Sequence, residues 1–225
     1  MSAPRITPDQ LESVFNDGPK RSGALISIVG FDGSGKTTQI EALAERFRTA
    51  GHEVLVTRQP TDWYRNEGSV QQFHDAGGSR ERARILSLFA AADRHRHVQE
   101  VILPALSKGQ VVLCDRYVYA TFGVFIHRGV DAEFLATINR GIPRPDHAFY
   151  LDVPTAILSR RLRERDGLNL KFEERSDERI ESITSTYREM GAHLERVDGS
   201  LPVQEVSDDL WRRCGALQKV LTPVL

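Results

Sequence analysis

The sequence feature that most constrains the fold is the stretch VGFDGSGKTT, residues 29–38, which contains the pattern G-x-x-x-x-G-K-T. It follows directly on the apolar run ALISIV, residues 24–29. Glycines in such a loop let successive backbone N–H groups turn towards an anion at the start of the next helix. We therefore predict a phosphate-binding loop (P-loop) between a strand and a helix. Its predicted nucleotide-binding residues are Gly30, Asp32, Gly33, Ser34, Gly35, Lys36, Thr37 and Thr38.

Two side chains of this loop have predicted chemical roles. Lys36 places a positive charge beside the β- and γ-phosphates of a nucleotide, and the hydroxyl of Thr37 is a ligand for Mg²⁺. The motif thus predicts nucleotide binding, but it does not identify the group that receives a phosphate.

Composition favours a small-molecule substrate over a polyanionic partner. Lys and Arg number 30 against 31 Asp and Glu, so no general attraction to nucleic acid or to a membrane surface is expected. The two cysteines, Cys114 and Cys214, show no metal-binding or redox spacing. The N-terminal residues have no apolar signal-type core, and no run has the length of a membrane span, so we expect a cytoplasmic protein.

Apolar runs and helical patterns alternate along the chain. The runs ALISIV, HEVLVTR, QVVLCD, DHAFYLDV and RVDG predict strands, and the segments between them predict helices. This alternation predicts an α/β protein of the P-loop NTPase fold, a parallel sheet flanked by helices on both faces. We expect one kinase-sized domain over residues 23–225, preceded by an extension over 1–22 with a weak helical pattern. Residues 59–78 read as a loop with one short helix, and 79–108 as a helix bent at Pro104.

Charged residues follow the predicted strands at the points where the strands end. Arg58 follows the second strand, and Asp115 and Arg116 follow the third. Ligands of parallel sheets bind at these carboxyl ends, so Asp115 is a predicted metal-site residue and the arginines suit a second phosphate. Asp115 and Arg116 could instead pair with each other or cap a helix.

A basic segment over residues 160–175 is a candidate lid. Arg161 and Arg165 share one helix face, and the polar segment that follows them could close over a nucleotide. Phosphoryl transfer needs positive charge and the exclusion of water, which a basic lid supplies. A solvated charged helix explains the same pattern.

The motifs together resemble one family. GFDGSGKTTQ, TRQP, AADRHRHV, ILPALSKGQVVLCDRY, RPDHAFYLDV and RLRERD…KFEE occur in the order seen in thymidylate kinases, over roughly residues 24–200. The resemblance implies a homodimer that transfers a phosphoryl group from ATP to dTMP with Mg²⁺. It implies no partner beyond a small nucleoside monophosphate.

The resemblance also implies roles for individual residues. Asp32 would meet the 3′-hydroxyl of the acceptor, Arg58 and Arg116 its phosphate, and Arg94 its base. Asp115 would lie beside the metal. Gly33 stands where one branch of the family has a catalytic arginine, so this chain resembles the branch that supplies lid arginines, here Arg161 and Arg165.

Three departures concern the acceptor base. The family's REPGGT is RQPTDW here, and the segment after DRY reads ATFGVF, which predicts an apolar wall without the family's base-reading polar group. The family's base-stacking phenylalanine aligns with Ala90, so Phe89 can stack on the base only if its helix is locally irregular. These departures predict an altered base pocket, with dTMP or a related deoxynucleotide as acceptor. The alternative is a P-loop kinase for a modified nucleotide or another small molecule.

Other classes fit the sequence less well. A GTP-dependent switch needs N-K-x-D, which the sequence lacks, and an inactive scaffold has no need of Lys36, Thr37, Asp115 and Arg116. A kinase for a sugar or antibiotic hydroxyl is the remaining rival. Two candidate arginines for an acceptor phosphate favour a monophosphate over a bare hydroxyl.

Overall fold

The structure is a computed structural model that describes residues 5–17 and 21–220. Within these ranges the strands are β1 (Phe15–Asn16), β2 (Ala24–Val29), β3 (Val54–Arg58), β4 (Val111–Asp115), β5 (Ile142–Pro143), β6 (His147–Asp152) and β7 (Glu195–Asp198). The α-helices are α1 (Pro8–Glu12), α2 (Lys36–Thr49), α3 (Asp62–Arg65), α4 (Gly68–Ala76), α5 (Arg80–His97), α6 (Leu103–Ser107), α7 (Tyr119–His127), α8 (Ala132–Ile138), α9 (Thr155–Asp166), α10 (Asp177–Glu189), α11 (Val203–Arg213) and α12 (Gly215–Val220).

The main sheet has five parallel strands in the order β3-β4-β2-β6-β7. Strand β2 is central and buried at every position, because helices cover both of its faces. Its Ile26 and Ile28 pack towards α2 and α11, while Leu25 and Val29 face the larger core on the other side. This confirms the predicted α/β P-loop NTPase fold. The chain passes from β2 to β3 on one side of β2, and after β4 it crosses to β6 on the other side, so a crevice forms at the carboxyl ends of the strands.

The N-terminal segment is packed against the domain. Thr7 caps α1 in a capping box with Gln10, and Leu11 and Val14 are fully buried in the larger core. Strand β1 pairs in parallel with β5. Residues 1–4 and 18–20 of the expected extension lie outside the described residues.

Three segments differ in detail from the sequence prediction. Residues 59–78 contain two helices, α3 and α4, where one was expected. The predicted long helix is interrupted by a π-helical turn at Val98–Ile102, in which the N–H of Leu103 donates to the carbonyl of Val98. This turn lies just before Pro104, which has no N–H to continue the regular pattern. Helix α7 was not predicted.

Candidate active site

The loop between β2 and α2 has the backbone of an anion cradle. Gly33 and Gly35 have φ angles of 85° and 93°, which side-chain-bearing residues rarely adopt. A Cβ on Gly30 would lie 2.5 Å from Oγ of Ser34. That buried hydroxyl has no hydrogen-bond partner among the described residues, so it is available to a ligand. Thr37 and Thr38 are exposed in the first turn of α2.

Lys36 is buried at the base of this loop. Its Nζ donates to the carbonyl of Phe31 at 3.0 Å and lies 3.5 Å from Oδ1 of Asp32. Burial, together with the nearby charge of Arg116, lowers the pKa of Lys36 to about 8. The charged ammonium group is therefore only partly stabilised by protein groups, and a bound phosphate would stabilise it further.

Asp32 is the common partner of three cations. It forms ion pairs with Arg116, with Lys36, and with Lys171 of the lid at 3.2 Å. Burial by itself would raise the pKa of Asp32, but Arg116, Lys36 and Lys171 outweigh burial and hold it well below its ordinary value. Asp32 is thus ionised throughout the physiological range.

The turn after β4 is strained. Arg116 and Tyr117 have φ angles of 77° and 48°, and both are non-glycine residues in the left-handed region. The turn is held by the Tyr117 hydroxyl, which donates to the carbonyl of Pro143 at 2.8 Å, and it directs Arg116 to Asp32. Burial lowers the pKa of Arg116, but Asp32 and Asp115 raise it further, so its guanidinium stays charged. Oδ1 of Asp115 is buried beside it, without a hydrogen-bond partner among the described residues.

A cavity of about 440 Å³ opens next to the P-loop, between α3, α4, α7, α10 and the lid segment. The charged residues that line it are Asp32, Arg65, Asp75, Arg116, Lys171, Glu173 and Glu174. Its apolar and aromatic wall consists of Phe31, Tyr64, Val124, Phe125, Ile183 and Tyr187. A charged end beside an aromatic end suits a phosphorylated ring compound.

The aromatic wall depends on one close approach. A Cβ on Gly123 of α7 would lie 2.6 Å from the ring of Tyr187 on α10. The absence of a side chain at Gly123 therefore lets Tyr187 reach the cavity, where its ring is fully buried.

The structure brings Arg65, rather than Arg58, to the wall of this cavity. Arg58 is about half exposed and pairs with Asp62 on the outside. Arg65 is the last residue of α3, and its Nε donates to the carbonyl of Pro60 at 2.7 Å. Burial lowers the pKa of Arg65. The sequence pattern does not single out Arg65, because residues 59–78 read as a loop with one short helix and give no direction for this side chain.

Phe89 does not line the cavity. Helix α5 is regular at this point, and the ring of Phe89 packs against Trp63 and Tyr64 with centroids 4.7 and 5.3 Å away. Tyr64 itself lines the cavity. Phe89 was expected to stack on the base only if its helix is locally irregular. The helix is regular at Phe89, and the irregular turn lies further along the chain at Val98–Ile102.

Arg94 lies one layer behind the cavity. It is fully buried and its Nη2 donates to the hydroxyl of Thr121, which lines the cavity. The predicted apolar wall after DRY therefore contains one hydroxyl group. Burial lowers the pKa of Arg94 to about 10.

The lid residues occupy two different places. Arg161 donates to the carbonyl of Gly33 at 3.1 Å and borders a second pocket, of about 230 Å³, with Gln39 and Val203. Arg165 is about half exposed and pairs with Asp166. Lys171 reaches Asp32 from the segment that follows α9.

The fit of these residues to a magnesium ion can be judged from the donor set. Among residues 5–17 and 21–220, no group of three or more metal-binding side chains occurs. Mg²⁺ in nucleotide sites takes one or two protein oxygens plus phosphates and water. The unpartnered Oδ1 of Asp115 and the exposed hydroxyl of Thr37 fit that pattern.

None of the helices in the described part of the chain combines the length and the apolar character that a membrane span requires.

Comparison with known proteins agrees with this geometry. The family model of thymidylate kinase matches residues 28–210. The chain is 38% identical over 193 residues to the probable thymidylate kinase of Pyrococcus abyssi, an alignment that covers 84% of this chain and 94% of the relative. It is 35% identical over 201 residues to the thymidylate kinase of Syntrophotalea carbinolica, covering 83% of this chain and 92% of the relative.

Proposed function

The chain belongs to the thymidylate kinase family, and we propose that the geometry described above serves one reaction, the transfer of the γ-phosphoryl group of ATP to the 5′-phosphate of dTMP. The protein is an ATP-dependent nucleoside monophosphate kinase. The observation that carries the proposal is that two pockets border the P-loop. Gly33, Ser34 and Gly35 line one of them, and Asp32 and Arg116, which form an ion pair beside Lys36, line the other.

The pocket at the P-loop is the proposed ATP site. Gly30, Gly33, Ser34, Gly35 and Thr38 provide the cradle, and Lys36 neutralises the β- and γ-phosphates. Arg161 borders this pocket and can contact the nucleotide from the lid side.

The enclosed cavity is the proposed acceptor site. Arg116 and Arg65 bind the acceptor phosphate, and Asp32 accepts a hydrogen bond from the 3′-hydroxyl of the sugar. Tyr64 and Phe125 pack against the base, and Thr121, backed by Arg94, contacts its polar edge. The departures of the sequence from the family therefore leave a base pocket built from different side chains.

The reaction depends on positioning and charge neutralisation more than on a general base. The acceptor oxygen is already an anion, so direct in-line transfer suffices. Thr37 and Asp115 would hold Mg²⁺, which would supply positive charge to neutralise the charge that develops on the phosphates. Arg161, Arg165 and Lys171 exclude water and add positive charge when the lid segment over 160–175 closes.

The acceptor is tested by measuring ADP release with ATP, Mg²⁺ and a panel of monophosphates. The panel contains dTMP, dUMP, 5-substituted deoxyuridylates and the other common nucleoside monophosphates. We expect the highest kcat/KM with dTMP. A higher value for a modified nucleotide, or turnover only with an acceptor that lacks a phosphate, would contradict the proposed acceptor while leaving the kinase chemistry intact.

The affinity for ATP is expected to fall between pH 7 and 9. Lys36 has a pKa of about 8 in the free protein, and bound phosphates raise it, so above pH 8 binding must be accompanied by proton uptake. The Kd then rises with pH, by up to about tenfold per pH unit. Calorimetric titration with ATP and Mg²⁺ from pH 7 to 9.5 measures this slope. A Lys36→Arg variant is the control, since its guanidinium does not titrate in this range and its Kd should stay level. A Kd that does not change over this range in the unsubstituted protein would contradict the assignment.

A homodimer formed through α5 is a second part of the proposal. Ile85, Leu88 and Ala92 are spaced along one exposed face of α5, and the half-exposed Trp63 lies beside them. An apolar face of this kind favours a protein partner. We expect a dimer in light scattering after size exclusion, and a monomer for Leu88→Glu. The control is Leu201→Glu, because Leu88 and Leu201 are 46% and 44% exposed at different sites. A Leu88→Glu protein that remains dimeric would place the interface elsewhere.

We also propose a cytoplasmic location. Cys114 and Cys214 are both buried free thiols, as is usual in a reducing compartment, and ATP is available there.

A further inference from the structure

A connected set of polar side chains, all of them buried except the partly buried Thr57, lies behind the acceptor cavity. Its members are Thr57, Gln59, Arg94, His97, Thr121 and Asn139. Arg94, Gln59 and Asn139 are fully buried, and the hydrogen bonds that connect the six run to one another rather than to residues 30–38. Phosphoryl transfer does not account for this set, which we call the base-side relay.

The relay has one consistent direction of hydrogen bonding. Nη1 of Arg94 donates to Oε1 of Gln59 at 2.6 Å. The amide nitrogen of Gln59 must then donate to Nδ1 of His97, 3.0 Å away. His97 therefore carries its proton on Nε2, which donates to the hydroxyl oxygen of Thr57 at 2.8 Å. Burial lowers the pKa of His97, in agreement with a neutral ring.

The same logic fixes the other side of Arg94. Its Nε donates to Oδ1 of Asn139 at 2.9 Å, and the amide nitrogen of Asn139 donates to the carbonyl of Leu135 at 2.8 Å. A guanidinium has donors only, so the oxygen of Thr121 accepts from Arg94. The proton of the Thr121 hydroxyl is thus free to point into the cavity. A ligand that offers an acceptor at that point of the wall, such as a carbonyl oxygen, can take this proton.

No carboxylate takes part in holding Arg94. The neighbouring Asp93 is engaged elsewhere, where it accepts from the backbone N–H and the hydroxyl of Thr61. Arg94 is held by three neutral groups, and its orientation depends on their geometry.

We infer that Gln59 is a positioning residue for the acceptor base: it holds Arg94 in the orientation that makes Thr121 a hydrogen-bond donor to a carbonyl of the base. The inference rests on the proposed function in taking the acceptor to be a pyrimidine nucleotide. It assigns a role to one of the departures in RQPTDW, in which glutamine stands where the family resemblance leads one to expect glutamate.

Glutamine is suited to this position because it both accepts and donates. A glutamate accepts from Arg94 but cannot donate to Nδ1 of a neutral His97. It would therefore require the proton of His97 to lie on Nδ1 and would raise the pKa of the ring by its charge. As a bidentate acceptor it would also draw the guanidinium away from Thr121. A leucine would leave both neighbours without a partner in a buried site. Gln59→Glu thus changes the relay with a minimal change in size.

The test compares the unsubstituted protein with Gln59→Glu. We measure KM for dTMP and for ATP separately, the ratio of kcat/KM for dTMP and dCMP, and the tautomer and pKa of His97 by ¹⁵N NMR of the imidazole ring. The matched control is Gln72→Glu, which adds the same charge at an exposed site where the side chain accepts from Arg82.

We expect Gln59→Glu to raise KM for dTMP roughly tenfold, the factor expected for loss of one aligned hydrogen bond to the ligand. KM for ATP should be unchanged, the preference for dTMP over dCMP should fall, and the pKa of His97 should rise. Gln72→Glu should match the unsubstituted protein. An unchanged KM for dTMP and an unchanged dTMP to dCMP ratio in folded Gln59→Glu would overturn the inference.

A second measurement does not depend on the variant. In the unsubstituted protein the relay requires the Nε2–H tautomer of His97, and a proton found on Nδ1 would overturn the inference even if Gln59→Glu fails to fold. Failure of the proposed function is distinguishable, because it would appear as absent dTMP turnover in the unsubstituted protein with the His97 tautomer as expected.

Discussion

The Lys36→Ala protein is expected to fold normally and to lose phosphoryl transfer by about 10³-fold or more in kcat, because no other buried cation reaches the same point of the P-loop among the described residues. Folding should be unaffected, since burial lowers the pKa of Lys36 and its ammonium group is held by one carbonyl and a distant carboxylate. Steady-state kinetics and thermal unfolding measure the two parts of this expectation.

A matched control for this substitution is Lys108→Ala. Lys108 is exposed after α6 and lies away from the candidate site, so its loss should leave kcat unchanged. If Lys36→Ala retains the turnover of the unsubstituted protein, the P-loop does not bind the phosphates in the way proposed.

The Asp115→Asn protein is expected to lose about 10² to 10³-fold in kcat and to need a higher Mg²⁺ concentration for half-maximal rate. An amide keeps the shape of the side chain but gives up the charge that a divalent ion prefers. Stability should change little, because Oδ1 of Asp115 has no hydrogen-bond partner among the described residues. Titration of activity with Mg²⁺, at saturating ATP and dTMP, measures the change.

Asp131→Asn is the control for that experiment. Asp131 is exposed and caps α8 by accepting from the N–H of Phe134, and asparagine caps helices equally well. Its Mg²⁺ dependence should equal that of the unsubstituted protein. An Asp115→Asn enzyme with an ordinary Mg²⁺ dependence would remove Asp115 from the metal site.

The sheet and the P-loop could be predicted from the sequence because their signals are local. A run such as ALISIV, buried on both faces, leaves no other reading when a glycine-rich loop follows it. The same holds for Asp115, the last residue of β4, and for Arg116, which follows it. Strand ends converge by topology, so no long-range contact had to be foreseen.

Helix α7 could not be predicted in this way. Seven of its nine residues are buried, so the apolar periodicity that marks an amphipathic helix is missing, and Gly123 lies in its middle. This helix carries Thr121 and faces Tyr187. Because the helix could not be predicted, the wall of the acceptor cavity that it forms could not be predicted either.

Arg65 and Arg58 show a second reason why part of the candidate site could not be predicted from the sequence. The choice between two arginines seven positions apart depends on α3, a helix of four residues with almost no signature of its own beyond its Thr61 cap. Once this helix forms, Arg65 turns inward and Arg58 stays outside with Asp62. The direction of a side chain at such a turn is set by tertiary packing, which a single sequence does not display.

The carboxylate of Asp32 has a consequence for how tightly the enzyme can hold its substrates. In the ligand-free protein it serves as an internal counterion for Arg116, Lys36 and Lys171, and its low pKa means that mild acid does not release them. The site is therefore preorganised, with its cations gathered before any phosphate arrives. Each incoming phosphate competes with an anion already in place, so part of its attraction to these cations is cancelled.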